Sequence, residues 1–417
     1  MLRCWFPVLV LGVCLVPAAA GYSVLTHEAI IDAVWGDGIR PLLLQHFPGA
    51  THEEMRTAHA YAYGGAIIQD MGYYPFGSHF FSDLTHYVRS GDFAEALLAE
   101  ATSLDEYAFA LGSLAHYAAD NTGHPVATNR AVAVMFPKLR KKFGRSITYG
   151  QDPVAHVKVE FSFDVVEVAE GHYAPEAYHD FIGFQVAKPL LERAFARTYS
   201  LEMQSVFFDE DLALGTYRHT VSSLLPSMSK IAWQLKKDEI RKTEPSVTRR
   251  RFVYNVSRSS YRRRWGKLYE TPGLAVRFWA FILRLVPKIG PFKALAFKAP
   301  TPAVQNMFMR SFNDTLDRYR CFLALHKEDS LHLLNENFDT GEPIQPGAYP
   351  LADHAYAKLV EKVHGHAVSD ALRADILAFY ADLNAPLDTK RDAKNWTKLL
   401  HQLDSLKNPQ PADLPKP

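Results

Sequence analysis

The chain has 417 residues, with 46 Lys+Arg against 45 Asp+Glu and a formal net charge of +1. A neutral balance excludes a dedicated duplex-DNA binder, which needs a basic footprint. Apolar residues at 48% and charged residues at 22% exclude wholesale disorder and allow a sizeable core. Histidine is the unusual entry, at 18, and half of these lie between His27 and His156.

Residues 1–21 read as a secretory signal. Arg3 supplies a positive start, Trp5 to Val16 an apolar stretch, and Ala18-Ala19-Ala20-Gly21 small residues for cleavage. The apolar run is short for a membrane span. Cys4 and Cys14 leave with this leader, so only Cys321 remains and no internal disulfide can form. An exported protein of this kind relies on its core, on bound metal, or on both. The expected location is secreted or periplasmic, free or peripheral on a membrane.

Beyond the leader, apolar residues recur at helical spacing over 24–47, 52–70, 92–120, 154–170, 184–198, 216–238, 301–327, 353–363 and 368–383. Alternation of the strand type is scarce, so the chain is predicted to be all-α. Gly72 to Ser82, rich in Gly, Pro and aromatics, is a predicted loop. Four segments follow: a core over 22–235, an insertion over 236–300, a helical extension over 301–385 packing on the core, and a partly disordered tail over 386–417. The insertion is distinctive. Between Arg249 and Lys298 there are 13 basic residues and one acid, Glu270, interleaved with aromatics such as Tyr254, Trp265 and Trp279. Such a stretch suits an anionic membrane surface. It also suits an insertion whose aromatics pack inward while its charges are solvated, and the two readings weigh equally.

The strongest local feature is His116, Asp120 and His124, spaced i, i+4, i+8. On a helix these side chains lie one turn apart on one face. Imidazole and carboxylate together suit zinc. His156 and Glu160 repeat the i, i+4 device, Asp70 and His79 flank the loop, and His27 opens the first helix after the leader. His46, His52 and His59 read as ordinary surface or core histidines. His86 and Asp83 stand close enough to the loop to orient a ligand from behind. Tyr73, Tyr74, Phe76, Phe80 and Phe81 either line a substrate cleft or pack the loop.

In order and spacing these pieces resemble the zinc-dependent phospholipase C superfamily, which also contains single-strand nucleases and the catalytic part of GPI-specific phospholipase D. The resemblance covers residues 21–235. It implies a multi-helix fold with a cleft holding up to three zinc ions. By motif, Asp70, His79, His116 and Asp120 correspond to the ligands of one zinc, and His124, His156 and Glu160 to those of a second. His27, bridging Asp120 and the mature N-terminal residue, Tyr22 if cleavage follows Gly21, correspond to those of a third. Two departures stand out: Tyr22 occupies a place where the family often has Trp, and the short Asp120-to-His124 spacing matches the phospholipase D branch better. The implied activity is hydrolysis of phosphodiesters in phospholipids at a membrane surface, by a hydroxide held on zinc, with Asp70 as ligand and general base. The alternatives are a single-strand nuclease of the same fold and a non-catalytic membrane-binding protein.

Overall fold

The computed structural model describes residues 22–170, 184–221 and 298–407, with a few isolated positions between 233 and 248. The basic aromatic insertion, Lys298 apart, lies outside the described residues, as does the leader. The described residues are mainly helical with almost no sheet, as expected.

The first helix, α1 (Val24–Val34), runs through a π-helical turn at Trp35–Ile39 into α2 (Arg40–His46). Helix α3 (His52–Gly65) begins at a capping box, in which Thr51 accepts from the Glu54 backbone and the Glu54 side chain accepts from Thr51. A 3-10 turn at Ile68–Tyr73 leads to α4 (His79–Tyr87), followed by α5 (Ser90–Glu100) and α6 (Leu104–Gly123). The single periodic stretch 92–120 is thus two helices. They part at Ala101 to Ser103, where the Ser103 hydroxyl accepts from Glu106 N and starts α6 afresh.

Helix α6 is buried on all sides from Tyr107 to Gly123, the signature of a central helix. Its contact with α3 is made backbone to backbone. A Cβ on Gly65 would stand 1.9 Å from the Phe109 carbonyl oxygen, and one on Gly112 would stand 2.1 Å from that of Ala62. Only glycine permits this approach.

A second π-helical turn, His124–Thr128, continues α6 into α7 (Asn129–Met135) and α8 (Pro137–Phe143). Helices α9 (Pro153–Glu170), α10 (Lys188–Tyr199) and α11 (Glu210–His219) complete the N-terminal half. From the C-terminal half, α12 (Pro302–Lys327) lies along α6, where the Tyr319 hydroxyl donates to the Leu111 carbonyl at 2.9 Å. The only strands among the described residues are β1 (Glu336–Asn337) and β2 (Glu342–Pro343), an antiparallel pair turned at Gly341, whose φ is 68°. Helices α13 (Pro350–Val363), α14 (Asp370–Phe379) and α15 (Ala393–Lys407) follow.

One apolar cluster joins Tyr22 and Ile30 to Phe308, Leu359 and Leu403, so both halves share a core. The segment read as a partly disordered tail contains a helix that the periodicity does not single out. This helix, α15, is held because Leu399, Leu403 and Leu406 bury on one face. Polar residues around them hide that face from a composition argument.

Candidate metal centre

Seven described side chains form two buried groups whose donor atoms lie close enough to share an ion. Asp70, His86, His116 and Asp120 form one, and His124, His156 and Glu160 the other. His27 adjoins the first, with Nε2 3.4 Å from Asp120 Oδ1.

Asp120 is the hub. It is fully buried on α6, and the Nε2 atoms of His116, His86 and His124 stand 3.3, 3.6 and 3.7 Å from its Oδ2. His86 Nε2 is also 3.3 Å from Asp70 Oδ1. The opposite nitrogens are fixed from behind. His86 Nδ1 is 2.8 Å from the Ser82 carbonyl oxygen, and His116 Nδ1 is 2.9 Å from that of Ala66. A carbonyl there calls for an Nδ1–H tautomer, which leaves Nε2 as the ligating atom. In the second group His156 Nε2 faces Asn129 Oδ1 at 2.8 Å, and Nδ1 faces Glu160 Oε1 at 2.6 Å.

Local structure explains the placement of each residue. His116 and Asp120 share a face of α6, as the four-residue spacing predicts. His124, expected on the same face, begins the π-helical turn. Its Nε2 stays 3.7 Å from Asp120 Oδ2, while its ring stacks on His156 of α9, centroids 4.9 Å apart. Helix α9 presents His156, Glu160 and Asp164 along one side. Asp164 reaches α1 and accepts from Leu25 N, Thr26 N and the Thr26 hydroxyl at 3.1, 3.2 and 2.7 Å. These bonds tie the start of α1, which carries His27, to α9.

His79 does not join the groups. It is exposed at the N-terminus of α4, with Tyr73 edge-on at 5.5 Å, and His86 two turns later takes the place expected for it. The cause lies in Ser82. Its hydroxyl donates to the Gln69 carbonyl at 2.5 Å and accepts from Gly72 N at 3.0 Å. This pins the middle of α4 to the turn that carries Asp70, so the helix's second half lies beside Asp70. Tyr22, the other expectation at the chain's start, is buried with its ring against Gly123 and its hydroxyl donating to Ser311 Oγ at 2.6 Å. Its ring centroid lies 6.1 Å from that of His27.

The aromatics divide in two. Phe80 and Phe81 belong to the apolar core, whereas Tyr73 stands 5.9 Å from His86 and 5.7 Å from Tyr149, itself 6.0 Å from His156. This pair spans the two groups. His59 is a core histidine stacked on Trp35 at 3.8 Å.

The electrostatics are those of a cation site. Burial opposes ionisation of Asp120, yet the facing His116, His124 and His86 hold its carboxyl well below the usual range. Burial also opposes charge on His86, but Asp120 and Asp70 push it up to about 10. On His27 burial prevails, lowering it to about 3, and burial likewise lowers His156 to about 4. Burial raises Asp70. Both Asp70 oxygens, both His27 nitrogens and His116 Nε2 are buried without a formed hydrogen bond. Buried polar atoms without a formed hydrogen bond carry a desolvation cost that a bound cation offsets. Imidazole nitrogens and carboxylate oxygens in sets of three and four fit zinc.

Among the described residues, no helix is long and apolar enough to cross a membrane. No curated protein and no solved structure is matched at a significant level. Residues 26–209, which carry every member of both groups, match the family model described as zinc dependent phospholipase C.

Proposed function

We propose that the protein is a secreted, zinc-dependent hydrolase of phosphodiesters that acts on phospholipids in the manner of a phospholipase C. The observation that carries this reading is the convergence of four imidazole Nε2 atoms on Asp120, 3.3 to 3.7 Å away, beside Asp70. The family match supports the hydrolytic class.

Asp70, His86, His116 and Asp120 would hold one zinc, and His124, His156 and Glu160 a second. His27, Asp120 and the terminal amine and carbonyl of Tyr22, freed by removal of residues 1–21, would hold a third. Zinc supplies an acidified water near neutral pH and offsets the charge that builds on phosphoryl oxygens. The chain's own residues do the rest. Ser82 and Ala66 carbonyls keep His86 and His116 in one tautomer throughout. Tyr73 and Tyr149 form an apolar wall between the groups. Both rings are almost fully buried, at 4% and 6% exposure. A single-strand nuclease needs aromatic faces open for base stacking, so this burial favours lipid over nucleic acid. The basic aromatic stretch over 249–298 is then the part that meets the anionic membrane surface.

The test is metal content by mass spectrometry on protein sequenced at its N-terminus, with phosphatidylcholine vesicles and single-stranded DNA assayed side by side. Release of a head-group phosphate that is lost on chelation and restored by zinc is expected. Turnover that survives thorough chelation, or cleavage of DNA without lipid, overturns the reading.

A further inference from the structure

Every member of the two groups lies between residues 26 and 209, yet the centre is closed by a segment far outside that range. The hairpin of β1 and β2 sets Phe338 and Asp339 against the histidines. Phe338 N donates to the His86 carbonyl at 3.3 Å, and its ring lies 5.0 Å from His86 and 5.9 Å from His116. Asp339 is 1% exposed, and its Oδ1 stands 3.4 Å from Nδ1 of His124. The rest of Asp339 is held on every side. Oδ2 accepts from the hydroxyls of Tyr87, at 3.0 Å, and of Tyr349. The backbone carbonyl accepts from Asn129 Nδ2 at 2.6 Å, and the backbone N–H donates to Asn337 Oδ1 at 2.9 Å. Asn129 in turn faces His156. A buried carboxylate fixed by two phenols, with its second oxygen aimed at a ring nitrogen that has no formed hydrogen bond, is built for one purpose.

We propose that Asp339 is a positioning residue for the metal centre: it accepts the Nδ1–H of His124 and so directs Nε2 of that ring to the ion. The inference rests on the zinc reading above and extends it to the C-terminal half of the chain. His86 and His116 take backbone carbonyls for this purpose. His124 sits on the π-helical turn, where no carbonyl faces its Nδ1, and Asp339 supplies a carboxylate instead. A carboxylate behind a ligating imidazole raises the ring's basicity and fixes its tautomer, which strengthens the bond to zinc.

The experiment uses the full-length protein and zinc itself, with affinity read by competition against a chelator of known strength. Asp339→Asn should weaken zinc binding roughly 10–100-fold. Its cobalt(II)-loaded form should show shifted visible bands, while the thermal midpoint of the chelated protein stays within a few degrees of wild type. Tyr87→Phe removes one hydroxyl from Oδ2 without touching His124. It should shift affinity in the same direction by a smaller factor, and it decides the matter if Asp339→Asn is insoluble. A wild-type protein that takes up no zinc overturns the zinc reading and this one with it. Wild-type zinc affinity and an unshifted cobalt spectrum in both variants overturn the role of Asp339 alone.

Discussion

His86 Nε2 lies 3.3 Å from Asp70 Oδ1, whereas His79, seven residues earlier on the same helix, is exposed to solvent. His86→Ala should therefore lower the zinc content of purified protein and weaken its affinity by more than the roughly 10–100-fold typical of a residue behind a ligand. His79→Ala should leave zinc content unchanged. Equal zinc loss in the two variants would contradict the placement of α4.

Asp164 offers a test of the scaffold rather than the metal. Its carboxylate meets three donors at the start of α1. Asp164→Ala removes the acceptor that these three donors share, at a total cost of about 1–3 kcal/mol. Urea unfolding of chelated protein should show that loss. In the presence of zinc the same variant should lose affinity at the His27 side of the centre, because the helix that carries His27 is no longer tied to α9.

Gly123 separates Asp120 from His124 and faces the ring of Tyr22. A Cβ at this position would stand 2.6 Å from Tyr22 Cζ, and the ring is tied by its hydroxyl to Ser311. Gly123→Ala should destabilise the protein by about 1–3 kcal/mol, the usual cost of overpacking. Combining it with Tyr22→Ala should cost less than the two single changes summed, since the clash disappears with the ring. Strict additivity in the unfolding free energies would show that the ring and the glycine do not meet.

Asp375 provides a dependence on pH away from the metal. Burial raises its carboxyl to about 6, although Tyr356 donates to it at 3.0 Å. The folded state therefore holds a proton that the unfolded chain has released from about pH 4 upward. Stability falls as pH rises through this window and levels off above pH 6. Asp375→Asn removes the ionisation and keeps an acceptor for Tyr356. The variant should gain roughly 1–2 kcal/mol over wild type at pH 7.5, an effect limited by the partial exposure of the side chain, and gain little at pH 4.5. Unfolding curves for both proteins at each pH check the sign.

Much of this centre is legible in the chain before it folds, and the parts that are not share a cause. The i, i+4 pairs His116–Asp120 and His156–Glu160 are properties of helix geometry, so spacing alone brings each pair together. The choice between His79 and His86 is not, because both lie on the same face of α4 and only the tertiary anchor at Ser82 decides which end meets Asp70. His124 keeps the face its spacing predicts, with Nε2 3.7 Å from Asp120 Oδ2, but the π-helical turn that begins there is invisible to a count of residues. Asp339 and Phe338 carry no motif, and their relation to the histidines exists only once the hairpin has docked. Helix α15 was hidden for a different reason, as its narrow apolar face is diluted by charged and polar neighbours.

The bond between the Tyr22 hydroxyl and Ser311 joins positions 289 residues apart. Contacts of such separation close late, because the loop between them must be ordered first. During synthesis, which delivers the chain from its N-terminus, α1 and His27 have no α12 to rest on until most of the polypeptide has emerged. The donors around Asp120 therefore reach their final geometry near the end of folding. A metal ion is then held by a finished molecule, because an incomplete one does not yet present its ligands together.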